Sequence, residues 1–169
     1  MMNDGYMSIL EKIGSESPTP GGGTVAALTL AHAHSLAAMV SRLTIGKEKW
    51  QEGHKISNLI INSSAESLER SILLAENDSL AFDKVMASYR MPRNNDVEVE
   101  SRKLAILEST IGAAQTPSEI AQEGLKLLSL LPDLARFGNL NAITDLAASS
   151  ELAYTAVYIA SLNVKINVD

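Results

Sequence analysis

Asp78 is the residue of this 169-residue chain whose position most directly implies chemistry. It lies four residues after Leu74 and four before Phe82, within a run where Ile56, Ile60, Ser63, Ser67, Ser71, Val85 and Tyr89 recur at helical spacing. That period turns a carboxylate toward apolar surroundings. Ionised and unpaired there, it would cost several kcal/mol, so it must be paired, protonated or turned into a wet pocket. A carboxylate so placed is a candidate general acid and base with a raised pKa, although a paired structural aspartate satisfies the same pattern. Asp145, among Ile143, Leu146, Ala147 and Leu152, presents the same two alternatives.

Gly21-Gly22-Gly23-Thr24 forms a second candidate group, just ahead of an apolar run that ends at Gly46. The string from Gly21 to Ala26 fits a loose dinucleotide fingerprint, but that site needs a preceding strand, and Pro18 and Pro20 stand in its place. What survives is a glycine loop at the positive end of a helix, suited to a carboxylate or carbonyl oxygen, or simply a flexible turn. His32 and His34 are two residues apart, so on a helix they point about 200° from each other and cannot share a metal ion. With His54 distant and no cysteine in the chain, no metal site is expected, and His32 reads as a core histidine on the apolar stripe of Val25, Leu28, Leu36, Met39, Val40 and Leu43. Arg42, Lys47 and Lys49 cluster at one helix end, and Arg90 and Arg93 at another. They read either as solvated charges complementing helix C-termini or as a grip on the tail of an anionic ligand.

The elements that must carry these residues are helices. Hydrophobic residues make up 46% of the chain and aromatic residues only 4%, and the apolar mass lies in Leu, Ala, Ile and Val, which favours closely packed helices over sheet. The length suits one domain, 1–169, able to bury about 70% of its unfolded surface. The absence of cysteine excludes a disulfide framework, a thiolate metal site and a cysteine nucleophile, and the formal charge of −6 argues against general nucleic-acid binding. No run reaches the roughly 18 unbroken apolar residues of a membrane span, because 25–40 is interrupted by His32, His34 and Ser35. Met1-Met2-Asn3-Asp4 shows no leader pattern, so the cytoplasm is expected. Spacing and breakers predict helices over 6–13, 24–46 with Thr24 as N-cap, 53–89 as one very long helix or two with a break near Asn77, and 97–114. A further helix starts at Pro117 behind a Thr116 cap and ends at Leu131, and the last runs to Leu162. The expected architecture is an all-α bundle of five to six helices.

Five blocks in register also carry a resemblance. Ser17 through Leu28, including Pro20 and the three glycines, then Leu43-Thr44-Ile45-Gly46-Lys47, Asp78-Ser79-Leu80-Ala81-Phe82, Gly138-Asn139 with Thr144-Asp145, and Asn163-Val164-Lys165-Ile166-Asn167 resemble the cyclodeaminase domain of the formiminotransferase-cyclodeaminase family. The resemblance implies an all-helical homodimer with a folate site near the subunit interface and the glycine loop beside it. It implies removal of ammonia from 5-formiminotetrahydrofolate to give 5,10-methenyltetrahydrofolate, while some relatives hydrolyse the methenyl compound. No cofactor is implied beyond the folate substrate. It makes Asp78 the catalytic residue. Pro20, Gly21, Gly22, Gly23, Thr24, Phe82, Gly138 and Asn139 become substrate contacts, with Lys47 near the glutamate tail, while Asp145 and Asn139 hold the pterin or orient Asp78. The chain departs from the family pattern at Thr144, where serine is usual, and in ending soon after Asn167.

Overall fold

A computed structural model describes residues 5–168, so the 1–4 segment read above for a leader lies outside it. Helix α1 spans Tyr6–Ile13, α2 Gly22–Thr44, α3 His54–Tyr89, α4 Asp96–Phe137 and α5 Ile143–Val168, with short 3-10 turns at Glu48–Gly53 and Leu140–Ala142. No strand occurs among the described residues. Helices α2 to α5 run alternately up and down around a ring in which each packs on the next and α5 closes back on α2. Helix α1 lies outside the ring, with no buried residue.

Small side chains set how closely α2 approaches its neighbours. Its buried face is Ala26, Ala27, Leu30, Ala33, Ala37, Ala38 and Val40, and the Ser149 hydroxyl of α5 donates to the Ala33 carbonyl at 2.8 Å. Leu30, Leu74, Ile120 and Leu134 fill the centre, each contributing about 2 kcal/mol by burial. This face corrects the expected stripe: His32, Met39 and Leu43 are exposed, and His34 is the histidine that is buried. The bulkier residues made the stripe look like the core face, whereas the close backbone approach is made through alanine. By length and hydropathy α2 could cross a membrane, yet its alanine face is packed inside the bundle.

Two boundaries differ from expectation, and two agree with it. Helix α2 starts at Gly22, so Thr24 is not its N-cap and its hydroxyl is used elsewhere. Gly46 does follow the helix end, at φ +77°, the left-handed region glycine tolerates. Helix α3 runs unbroken through Asn77. The two helices predicted around Pro117 are one, α4, whose cap is Asn95 accepting from the Glu98 amide at 2.9 Å, with Pro117 and Pro132 inside it. Proline has no N–H for the carbonyl four residues earlier, so Pro117 orphans the Ala113 carbonyl. The Asn167 side-chain amide of α5 donates to that carbonyl at 3.3 Å instead. Tertiary packing thereby satisfies the group that local chemistry would have used to end the helix.

Candidate active site

Asp78 projects from the middle of α3 toward the first turn of α2. The Thr24 hydroxyl donates to Asp78 Oδ2 at 3.0 Å, and the same hydroxyl lies 3.0 Å from Ser79 Oγ. The approach is close because Gly23 has no side chain: a Cβ there would lie 2.7 Å from Asp78 Cγ and 2.7 Å from Oδ2. Ahead of it, the Thr19 hydroxyl donates to Asp83 Oδ1 at 3.4 Å, tying the Pro18–Gly21 loop to α3 one turn further on.

These groups border a cavity of about 270 Å³. Pro18, Thr19 and Gly21 to Gly23 form one wall, and Asp78, Ala81, Phe82 and Val85 form the second. Ala113 and Pro117 of α4 and Asn163, Ile166 and Asn167 of α5 close it. Its surface is thus largely apolar, with a carboxylate on one side and two carboxamides on the other. Among the described residues, Asp78 is the one titratable side chain in this lining, and no cation faces it. Burial therefore pushes its pKa above the ordinary aspartate value, while the hydroxyl and main-chain amide of Thr24 pull back by favouring the ionised form. The group can hold or release a proton at the edge of this cavity.

The structure brings together Gly21, Gly22, Gly23, Thr24, Asp78 and Phe82, with Pro20 inside the loop that joins them. It does not bring Lys47, Gly138, Asn139 and Asp145 to this place. Those stand at the opposite end of α2, which at 23 residues separates the two groups by roughly 33 Å. There Asn139 is buried and its bonding capacity is used within the fold: its amide donates to Thr44 Oγ1 at 3.0 Å, its Nδ2 to the Leu43 carbonyl at 3.0 Å, and its Oδ1 accepts from the Asn141 amide at 3.0 Å. Gly138 packs against Leu134 and Thr44. Asp145 sits in the first turn of α5, where a carboxylate complements the helix dipole, so within one chain it does not orient Asp78. Lys47 offers its carbonyl to His54 Nε2 at 3.2 Å, Arg42 donates to Ser64 Oγ at 3.2 Å, and the Lys49 ammonium lies 4.6 Å from the centre of the Trp50 ring. Arg90 and Arg93 flank the α3–α4 turn, roughly 18 Å or more along α3 from Asp78.

The sequence profile of the formiminotransferase-cyclodeaminase family matches residues 6–169. The chain belongs to that family. Within it, the chain is 34% identical over 166 residues to a methenyltetrahydrofolate cyclohydrolase of Methylorubrum extorquens, covering 98% of this chain and 79% of that one. It is 28% identical over 167 residues to the rat formimidoyltransferase-cyclodeaminase, covering 99% of this chain but 31% of the relative, so it spans about three tenths of the animal proteins it matches. The crystal structure of a formiminotetrahydrofolate cyclodeaminase from Thermotoga maritima superposes with a TM-score of 0.84 at 27% identity, covering 96% of this chain and 77% of that one. The helical ring described above is therefore the family fold, and the family blocks around Asp78 are those that line its cavity.

Among the lining residues without a role assigned from sequence, three bear on the site's polarity and shape. Asn163 and Asn167 belong to a family block but carried no chemistry of their own, and Pro117 read as a helix start. Their convergence with Asp78 depends on α5 returning antiparallel to α4, a long-range pairing that no local pattern encodes.

Proposed function

We propose that this chain acts on a one-carbon group carried by tetrahydrofolate, as a formiminotetrahydrofolate cyclodeaminase in which Asp78 shuttles the proton. The observation that carries the reading is the Asp78 carboxylate itself, held by Thr24, closed against Gly23 and bordering a largely apolar cavity with no cation among its described lining residues. In the reaction, N10 of the protonated 5-formimino substrate attacks the formimino carbon and forms the ring adduct. Asp78, ionised, takes the proton from N10 and then delivers it to the amino group. The carbon–nitrogen bond breaks, ammonia leaves with its electron pair, and the positively charged 5,10-methenyl product remains. One proton has moved from N10 to ammonia and the carboxylate is regenerated, so the step draws on no cofactor. A carboxyl of raised pKa suits both halves of that transfer.

Methenyltetrahydrofolate hydrolysis is the second reading, favoured by the 34% identical relative that bears that name. Asp78 would then take a proton from the water that attacks the same carbon. Both readings carry with them a homodimer and a cytoplasmic setting, and light scattering of the purified chain checks the former. The deciding experiment gives the protein 5-formiminotetrahydrofolate and, separately, 5,10-methenyltetrahydrofolate, following the methenyl chromophore and ammonia. Ammonia release with growth of the chromophore supports the deaminase. Loss of the chromophore above the uncatalysed rate supports the cyclohydrolase, and neither change would leave a folate-binding protein without turnover.

A further inference from the structure

Ser79 follows Asp78 in the chain and has no part in the chemistry above, yet its hydroxyl lies 3.0 Å from the oxygen of Thr24 that serves the carboxylate. A hydroxyl carries one proton. An ionised carboxylate can only accept, so the Thr24 proton must go to Asp78 Oδ2, and the Ser79–Thr24 contact can form only with Ser79 as donor. The order is therefore Ser79 to Thr24 to Asp78. Donation into Thr24 Oγ1 polarises its O–H and strengthens the bond it gives to the carboxylate.

We propose that Ser79 is a positioning residue: by donating to Thr24 Oγ1 it commits the Thr24 proton to Asp78 Oδ2 and so holds the carboxylate in place for the proton shuttle. Geometry supports the order, since the Thr24 hydroxyl lies 3.0 Å from both Asp78 Oδ2 and Ser79 Oγ. The charge-assisted bond from Thr24 is stronger to the ionised carboxylate than to the neutral acid. Ser79 thus works against the burial that raises Asp78, and holds the group where it can both take and give a proton. Among the described residues, no other titratable group enters this balance from the packed elements. The Pro18–Gly23 loop, Ala113 and Pro117 of α4, and Asn163, Ile166 and Asn167 of α5 present none in the cavity. On α3, Asp83 is engaged by Thr19 at the loop edge.

The inference rests on Asp78 being the shuttle, but its test does not depend on turnover. Carboxyl-carbon NMR titration of the folded protein, with the Asp78 signal assigned by its loss in Asp78→Asn, reads the ionisation directly. Ser79→Ala, which is favourable in a helix, should raise the Asp78 midpoint by about half a pKa unit. The acid limb of the kcat/KM profile should move in the same direction, and Ser79→Thr, which keeps the hydroxyl, should restore both. Ser79→Cys, a weaker donor, should give a smaller rise and serves as a second variant if the alanine form does not fold. An unchanged midpoint in the alanine or the cysteine form overturns the proposal, as does a rise that the threonine form fails to reverse. Full turnover in Asp78→Asn would overturn the shuttle reading while leaving the titration to decide the role of Ser79.

Discussion

Asp78 occupies the space that a side chain on Gly23 would need: a Cβ at Gly23 would stand 2.7 Å from its carboxyl carbon. The conflict is with the movable end of one side chain and not with backbone. Gly23→Ala should therefore push the carboxylate off Thr24 while leaving the helices in place. We expect turnover to fall at least about a hundredfold, because a proton shuttle displaced by an ångström loses its geometry, with little change in Tm. Gly53→Ala is the contrasting variant. Its Cβ would meet the Phe137 main chain, 2.8 Å from the carbonyl carbon, so backbone must move and Tm should fall clearly. Equal thermal losses in the two variants would contradict this distinction.

Replacing Asp78 with Asn tests both chemistry and linkage. Turnover should drop by about a hundredfold or more with folate binding retained. The folded-state pKa of Asp78 is raised, so the stability tied to its protonated form is present below the ordinary aspartate range and is lost as pH rises through the folded value. At neutral pH the native protein thus carries the cost of a partly desolvated charge, and Asp78→Asn should have the higher Tm. The gain should disappear near pH 3, where the wild-type carboxyl is also neutral. A variant less stable at pH 7 than at pH 3, relative to wild type, would show that the ionised group is instead well compensated.

The order of helices could be read from periodicity and breakers, and the Asp78 register could be read with it, because a 3.6 period and a stripe of apolar residues are local facts. What could not be read is what the far chain contributes. Thr116-Pro117-Ser118-Glu119 has every mark of a helix start, and it fails as one because Asn167, fifty residues later, supplies the hydrogen bond Pro117 cannot. The face of α2 was misjudged for a related reason: alanine gives a weak hydrophobic signal but permits the closest approach, so its side was buried and Met39 and Leu43 were left outside. Lys47 and Asn139 belong to family blocks, and only the length of α2 shows that they lie a helix away from Asp78.

The Asn167–Ala113 bond predicts a non-additive pair. Asn167→Ala should cost about 1–3 kcal/mol by orphaning a partly buried carbonyl, or about 2–4 °C of Tm per kcal/mol in a domain of this size. Pro117→Ala returns an N–H that can donate to Ala113 within the helix. In that background the second substitution should cost measurably less, and a double-mutant cycle in denaturant reads the difference. Strict additivity would mean that the contact carries no stability.

Asn139 closes the opposite end of the bundle, joining the turn before α5 to the α2 terminus through two hydrogen bonds and bracing the turn itself through a third. Asn139→Ala removes the two made by the side chain and leaves the Leu43 carbonyl and the Asn141 amide unpaired. A loss of about 1–3 kcal/mol is expected. Calorimetry of the variant checks it, and an unchanged Tm would return Asn139 to consideration as a ligand contact.

His34 should make the protein acid-sensitive at a point remote from the cavity beside Asp78. Its ring is buried on α2 with Nε2 lacking a hydrogen-bond partner, and burial lowers its pKa despite the opposing pull of the Glu123 carboxylate. The unfolded chain therefore takes up a proton near the ordinary histidine value while the folded chain does not. Stability is full above that value and is lost as pH falls toward the lower folded one, at up to about 1.4 kcal/mol per pH unit. His34→Leu removes the titration and the unpartnered nitrogen together. Denaturant midpoints at pH 8, 7, 6 and 5 should then fall more steeply for the native protein than for the variant, with the divergence opening below about pH 6.5. Parallel curves would mean that the buried ring is protonated in the folded state, paired with Glu123.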